Sequence, residues 1–174
     1  MNSLELSHDF LSAVIKHGDT VVDGTMGNGH DTLFLAQLTN NVFAFDVQQS
    51  ALDTTRARLN GLPATLIHDG HENIDKYVTA PIRAAIFNLG YLPGSDKTVI
   101  TKSDTTITAL EKTLNMLAIG GRISIMVYRG HDGGICESNS VTDFVSSLGT
   151  NFNTKISDPR GGTSPFLIMI ERTV

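Results

Sequence analysis

The chain has 174 residues, 40% hydrophobic and 18% charged, which is about one domain's length and enough apolar material for a substantial core, and it excludes an intrinsically disordered chain. Thirteen Lys and Arg against eighteen Asp and Glu leave a net charge of −5, which argues against broad, non-specific adhesion to nucleic acid. No apolar run approaches the roughly 20 residues of a membrane span, the start MNSLELSHDF lacks the features of a secretion signal, and the single cysteine, Cys136, cannot form an internal disulfide. A soluble cytoplasmic protein with one domain, residues 1–174, is the expectation.

In chain order, residues 4–15 place Leu4, Phe10, Leu11, Val14 and Ile15 on one helical face, closed by His17-Gly18-Asp19. Thr20 to Asp23 is a short β-branched strand that runs into a glycine-rich turn, and Asp31 to Leu38 follows as a helix. Asn41 to Val47 reads as the second strand, Ser50 to Leu59 as the next helix, and Ala64 to His68 as the third strand. Arg83 to Leu89 is a buried strand, followed by a polar loop to about Asp104 and a helix carrying Ile107, Leu110, Leu114 and Leu117. Gly120-Gly121 is predicted to stop that helix before a fifth strand, Arg122 to Tyr128. A helix carrying Val141, Phe144, Val145 and Leu148 comes next, and Phe152–Ile156 and Phe166–Ile170 then read as an antiparallel hairpin.

Five βα units and a closing hairpin predict a mostly parallel, doubly wound α/β sheet of seven strands with an antiparallel C-terminal edge and helices on both faces. Ligands of such sheets bind beyond the carboxyl ends of the strands, near the topological switch point. The first such loop, Asp23-Gly24-Thr25-Met26-Gly27-Asn28-Gly29, spaces its glycines GxxGxG, unlike the dinucleotide fingerprint, and lacks the Lys-Ser/Thr of a triphosphate loop. It is either a close-approach loop for a ligand or simply a tight turn. Asp46 ends the second strand, where a carboxylate accepts both hydroxyls of a ribose, or else is solvated or caps the next helix. Asp69 adds a third acid at the same edge, suited to an adenine amine. Three acids beside a glycine-rich turn favour a cofactor without phosphate, and S-adenosylmethionine, with a sulfonium and an ammonium, fits.

DGTMGNG resembles the first motif of class I S-adenosylmethionine-dependent methyltransferases, and Asp46, Asp69 and Asn88-Leu89-Gly90-Tyr91 fall where that superfamily carries its later motifs. DGTMGNGHDT, FDVQ, NLGYLPGSDK and YRGHDGG together resemble, over nearly the whole chain, a small bacterial family first labelled rRNA methylases. The resemblance implies a Rossmann-like methyltransferase that converts 5-aminomethyl-2-thiouridine at the tRNA wobble position to its 5-methylaminomethyl form. It implies a cofactor site of Asp23, Thr25, Gly27, Asn28, Gly29, Asp46, Gln48, Asp69 and Asn88, with S-adenosylhomocysteine as product. A methyltransferase of rRNA or of a small molecule, and a non-catalytic nucleoside-binding module, are the competing readings.

Within this frame Asn88 is expected to orient the substrate amine through its carbonyl, although Leu89 and Gly90 stand where related amino-group methyltransferases carry two prolines. Tyr91 is a candidate to stack on the uracil or else packs its loop, and Asp96 is a candidate to receive the ammonium or else forms a turn. Pro93, Gly94, Lys97, Tyr128, Arg129 and His131 complete the candidate substrate site. Lys97, Lys102, Arg129 and Arg160 belong to the half of the chain (88–174) with as many basic as acidic residues, and are candidates to hold anticodon phosphates, each with a solvated surface as the alternative. His68, Asp69, His71 and Glu72 lack the spacing of a metal site, so no metal is expected, and Cys136 reads as a small core or helix-start residue. The partner implied is the tRNA anticodon stem-loop, held by this domain with the help of a second subunit in a homodimer.

Overall fold

The computed structural model describes residues 1–79, 81–90, 103–130 and 134–174. Seven strands, β1 (Thr20–Asp23), β2 (Asn41–Asp46), β3 (Thr65–His68), β4 (Ile82–Leu89), β5 (Leu117–Val127), β6 (Phe152–Ser157) and β7 (Phe166–Arg172), form one sheet in the order β3-β2-β1-β4-β5-β7-β6. The first five are parallel, and β7 lies antiparallel between β5 and β6, so the C-terminal hairpin closes the sheet as its sequence pattern predicts. The helices are α1 (Ser3–Ser12), α2 (His30–Ala36), α3 (Gln49–Leu59), α4 (Ser103–Met116) and α5 (Gly134–Ser146). None among the described residues is long and apolar enough to cross a membrane.

Alternation along the central strands divides the core into two layers, because successive strand residues face opposite sides. Val22 of β1, Ala85 and Phe87 of β4, and Ile123 and Ile125 of β5 join Leu110 and Leu114 of α4 and Val141 and Val145 of α5. Val21 of β1 and Ala84 and Ile86 of β4 face the other way and join Leu11 of α1, Leu35 of α2 and Leu59 of α3. The chain winds outward from β1 in both directions, so the switch point lies between β1 and β4, and Asp23 and Asn88 stand at the carboxyl ends of the two strands that flank it.

Three sequence expectations are corrected here. Leu117 pairs with Ile82 as the first residue of β5, and Gly120-Gly121 lies inside that strand, where the β4–β5 register shifts between Ile82 and Ala84; the glycines accommodate an irregular strand and do not stop α4. The third crossover, from β3 to β4, carries only a 3₁₀ helix, His71–Lys76, in place of a full α-helix. Finally, α1 ends at Ser12, and Leu4 is about half exposed. A capping box between Asn2 and Glu5 starts α1, and polar contacts join the apolar packing of Leu6, Phe10 and Leu11 in docking it: Ser7 meets Ser124 of β5 at 2.5 Å, and Arg122 donates to the Phe10 carbonyl while lying over the Phe10 ring.

Candidate functional site

The loop after β1 is held by hydrogen bonds from three elements. The Gly24 amide donates to the Ile86 carbonyl of β4 and the Met26 amide to the Phe45 carbonyl of β2, so the loop prolongs the sheet on both sides. From α3, the Thr55 hydroxyl donates to the Gly27 carbonyl and Arg58 Nε to the Asn28 carbonyl at 2.8 Å. Two glycines are required by space. A Cβ on Gly24 would lie 2.2 Å from the Phe87 ring, and one on Gly29, at φ +85°, would lie 2.6 Å from Thr55 Oγ1.

Asp23 departs from the expectation that it meets the cofactor. Its side chain has no exposed surface; Oδ1 accepts the Thr25 amide and Oδ2 the Thr32 hydroxyl at 2.7 Å. It shapes the loop from beneath. Burial first, and then the nearby Asp31 charge, push its carboxyl from the usual range up to about 7.

Asp46 is half-buried and sits where the sequence places it, at the end of β2. Its Oδ2 accepts the Gly27 amide and its Oδ1 the Gln48 amide, both at 2.9 Å, which binds the glycine loop to the β2–α3 turn and leaves lone pairs for further donors. Asp69 is saturated more heavily by its own neighbourhood. The Gly70 amide and Asn73 Nδ2 share Oδ1, and the Tyr77 hydroxyl donates to Oδ2 at 2.7 Å. Tyr77, then Asn73, hold its carboxyl below the ordinary range.

His71 and His68, which invited a metal reading, serve separate backbone carbonyls. His71 is buried against Phe87, with Nδ1 donating to the Gly24 carbonyl at 2.9 Å, and burial keeps its pKa low, so it supports the loop as the neutral Nδ1–H tautomer. His68 Nε2 lies 2.9 Å from the Val47 carbonyl. Among the described residues there is no group of three or more His, Cys, Asp and Glu side chains able to hold a metal ion.

On the other side of the switch point, Asn88 is half-buried at the end of β4. Its backbone amide donates to Thr25 Oγ1, tying β4 to the glycine loop, and its Nδ2 donates to Asp31 Oδ2 at 2.6 Å. Asp31 Oδ1 lies 2.8 Å from His8 Nε2 of α1. Tyr128, one residue beyond β5, donates its amide to the Leu89 carbonyl; burial, then the Asp31 charge, raise the pKa of its phenol. Asp31 falls within the segment DGTMGNGHDT but has no role assigned to it by the sequence, and His8 belongs to no motif. The only local signal for Asp31 is an acid in the first turn of α2, and nothing marks His8.

Arg129 is placed differently from the expected phosphate ligand. Its guanidinium makes two hydrogen bonds to Asp158, at 2.8 and 3.0 Å, and packs over the Phe166 ring. Cys136 is an exposed residue of the first turn of α5 and not a core residue. Tyr91, Pro93, Gly94, Asp96, Lys97, Lys102 and His131 lie outside the described residues.

Comparison with known proteins places this arrangement. A family model described as "Putative rRNA methylase" matches residues 42–171. The chain belongs to that family. Over 161 residues it is 38% identical to an Arabidopsis thaliana protein named tRNA (mnm(5)s(2)U34)-methyltransferase, chloroplastic; the match takes in 83% of this chain and 59% of the relative, so this chain spans less than two thirds of that protein's length. Among solved structures it is similar to one from Streptococcus mutans, described as "a putative methyltransferase" in complex with SAH, with 50% identity, 99% and 98% of the two chains covered and a TM-score of 0.92. A Clostridium thermocellum protein described as a putative rRNA-methylase is 42% identical, again with 99% and 98% covered, at a TM-score of 0.94.

This family member is an S-adenosylmethionine-dependent methyltransferase with the seven-stranded Rossmann-like fold of its relatives. The donor set at the β1 and β2 ends suits that cofactor. Backbone amides and carboxylates line it, the segment 23–29 contains no lysine or arginine, and the partly exposed acid is Asp46, a combination that receives hydroxyls and positive charge and repels phosphate.

Proposed function

We propose that this methyltransferase acts on tRNA, transferring a methyl group to the exocyclic amine of 5-aminomethyl-(2-thio)uridine at the anticodon wobble position. The structural observation that carries the reading is Asn88: an amide held at the switch point beside the glycine loop, in place of a cysteine or another covalent nucleophile. The named activity of the Arabidopsis relative supports the substrate class.

Asp46 and the loop Thr25–Gly29, with Gln48 and Asp69 alongside, would hold the cofactor. When bound, S-adenosylmethionine supplies an electrophilic methyl on a sulfonium sulfur. A primary amine of lysine type, with a reference pKa of about 10.4, is mostly protonated near neutrality and loses a proton before it attacks. The transfer this cofactor would support joins the methyl carbon to nitrogen, leaves the sulfur–carbon electron pair on sulfur and would release one proton overall. Asn88 has no basic group, so its part is to accept an N–H through Oδ1 and aim the nitrogen lone pair, a positioning contribution. Tyr128 is the described candidate wall for the base, and Tyr91, Asp96, Lys97 and His131 are proposed for the same substrate side from their sequence positions. A homodimer is proposed to widen the RNA-binding surface of this acidic chain.

Purified protein and S-adenosylmethionine are incubated with tRNA from cells lacking the gene, and the digested nucleosides are read by mass spectrometry. Conversion of the 5-aminomethyl to the 5-methylaminomethyl nucleoside is the expected result. Precursor that stays unmodified while the protein binds cofactor removes the tRNA reading, and methylation of ribosomal RNA in the same assay replaces it.

A further inference from the structure

Asp31 is only 7% exposed, yet both of its oxygens are used by side chains from distant parts of the chain: His8, 23 positions back, and Asn88, 57 positions ahead. An ionised carboxylate only accepts hydrogen bonds. His8 must therefore present Nε2–H, and Asn88 must present its NH₂ end, which turns the amide's carbonyl end away from Asp31. His8 is steadied in turn, because its ring stacks on Phe34 of α2 with centroids 3.7 Å apart and planes within 2°.

We propose that Asp31, braced by His8, is the positioning residue that sets the chemical polarity of the site: it holds Asn88 with its acceptor end toward the reacting group, so that the site selects a substrate that donates a hydrogen bond, an amine, over one that accepts. This rests on the reading above that Asn88 faces the substrate. Among the described residues, Asp23 beneath α2, Tyr128 beyond β5 and His8 of α1 are titratable groups that interact with Asp31. Both the neutral Nε2–H tautomer of His8 and its imidazolium donate to Asp31, so the brace works through a donor and not through a change of charge.

The test has one readout without substrate and one with it. In ¹⁵N-labelled protein, the Asn88 side-chain amide, assigned by its loss in Asn88→Ser, is expected to show one downfield proton protected from exchange, and Asp31→Ala is expected to abolish that signature. In turnover, Asp31→Ala lowers kcat on the order of 100-fold, as loss of alignment does, with the KM for tRNA and the affinity for S-adenosylhomocysteine within about threefold. His8→Phe, which keeps a ring over Phe34 and drops the donor, lowers kcat about tenfold, and His8→Gln, which restores an N–H, recovers most of that loss with an unchanged pH profile. An Asn88 signature that survives Asp31→Ala, a kcat near wild type in that variant, or a His8→Gln as impaired as His8→Phe overturns the proposal. So does a pH profile altered in His8→Gln, which makes the imidazole a proton carrier. Should Asp31→Ala not fold, the wild-type Asn88 signature and the His8 pair decide the matter. If the wild-type enzyme leaves the tRNA precursor unmodified while the amide signature depends on Asp31, the tRNA reading fails and the positioning of Asn88 stands.

Discussion

The two sides of the switch point are built on different principles. On the β2–β3 side the acids are held by their own surroundings: Asp46 by the amides of Gln48 and Gly27, Asp69 by Gly70, Asn73 and Tyr77 within eight residues. On the β4–β5 side the polar groups are held by partners from remote segments: Asn88 by Thr25 and Asp31, and Asp31 by His8. A cradle tied by backbone amides presents the same donors and acceptors whether or not a ligand is present, which suits an invariant cofactor. A chain of side chains relayed between α1, α2 and β4 fixes the direction of one amide, which suits discrimination between substrates.

The sharpest test of the cradle is steric. Gly24→Val drives two methyl groups into the Phe87 ring, and the expected cost is about 3 kcal/mol or more of stability with loss of S-adenosylhomocysteine binding, measured by urea denaturation and calorimetry. Next, Asn88→Ala is expected to lower kcat on the order of 100-fold while changing cofactor affinity far less, and an equal loss in both would move Asn88 to the cofactor side of the comparison. Asp46→Ala is expected to do the opposite, weakening S-adenosylhomocysteine binding about tenfold or more through the loss of an acceptor and of the loop's tie, with the remaining effect on saturated kcat small.

A smaller effect follows from Asp23. Its folded-state pKa of about 7 lies above the reference value of 3.8, so the native state binds the extra proton between those values. Asp23 thus favours folding most below pH about 4, and that contribution is lost as the pH rises to about 7; above it no further change comes from this residue. The urea midpoint of the wild type should fall across that window relative to Asp23→Asn, and parallel curves would remove the buried, protonated carboxyl from the account. The smallest effect tests the far side of the substrate region. Asp158 holds Arg129, so Asp158→Asn should free the guanidinium and steepen the salt dependence of tRNA binding by about one unit of slope. An unchanged slope means that Arg129 does not meet phosphate even when released.

Much of this was legible in the primary structure, for local reasons. Val21 and Val22 facing opposite layers follow from the two-residue period of a strand, and the GxxGxG spacing marks a turn with no room for side chains, where Phe87 lies under Gly24 and Thr55 under Gly29. Asp46 at a strand end was equally readable, since its hydrogen-bond partners lie two residues ahead and across a single crossover. The same local reasoning failed at Gly120-Gly121, because a glycine pair is equally compatible with a helix stop and an irregular strand, and pairing with Ile82 chose between them.

What the tertiary structure alone decided is which polar groups meet. Helical periodicity assigns α1 an apolar face but does not say that His8, beside that face, reaches Asp31; nor does any spacing show that Asp158 takes up Arg129 or that Asp23 turns beneath its own loop. Burial of apolar surface is non-directional and roughly proportional to area, so its pattern can be read from one strand or helix at a time. A hydrogen bond is satisfied only by a partner at the right distance and angle; Asp23 finds its own two and nine residues ahead, but the partners of Asp31, Asn88 and Arg129 lie 23 to 63 residues away, brought within reach only once the sheet and both helical layers are assembled.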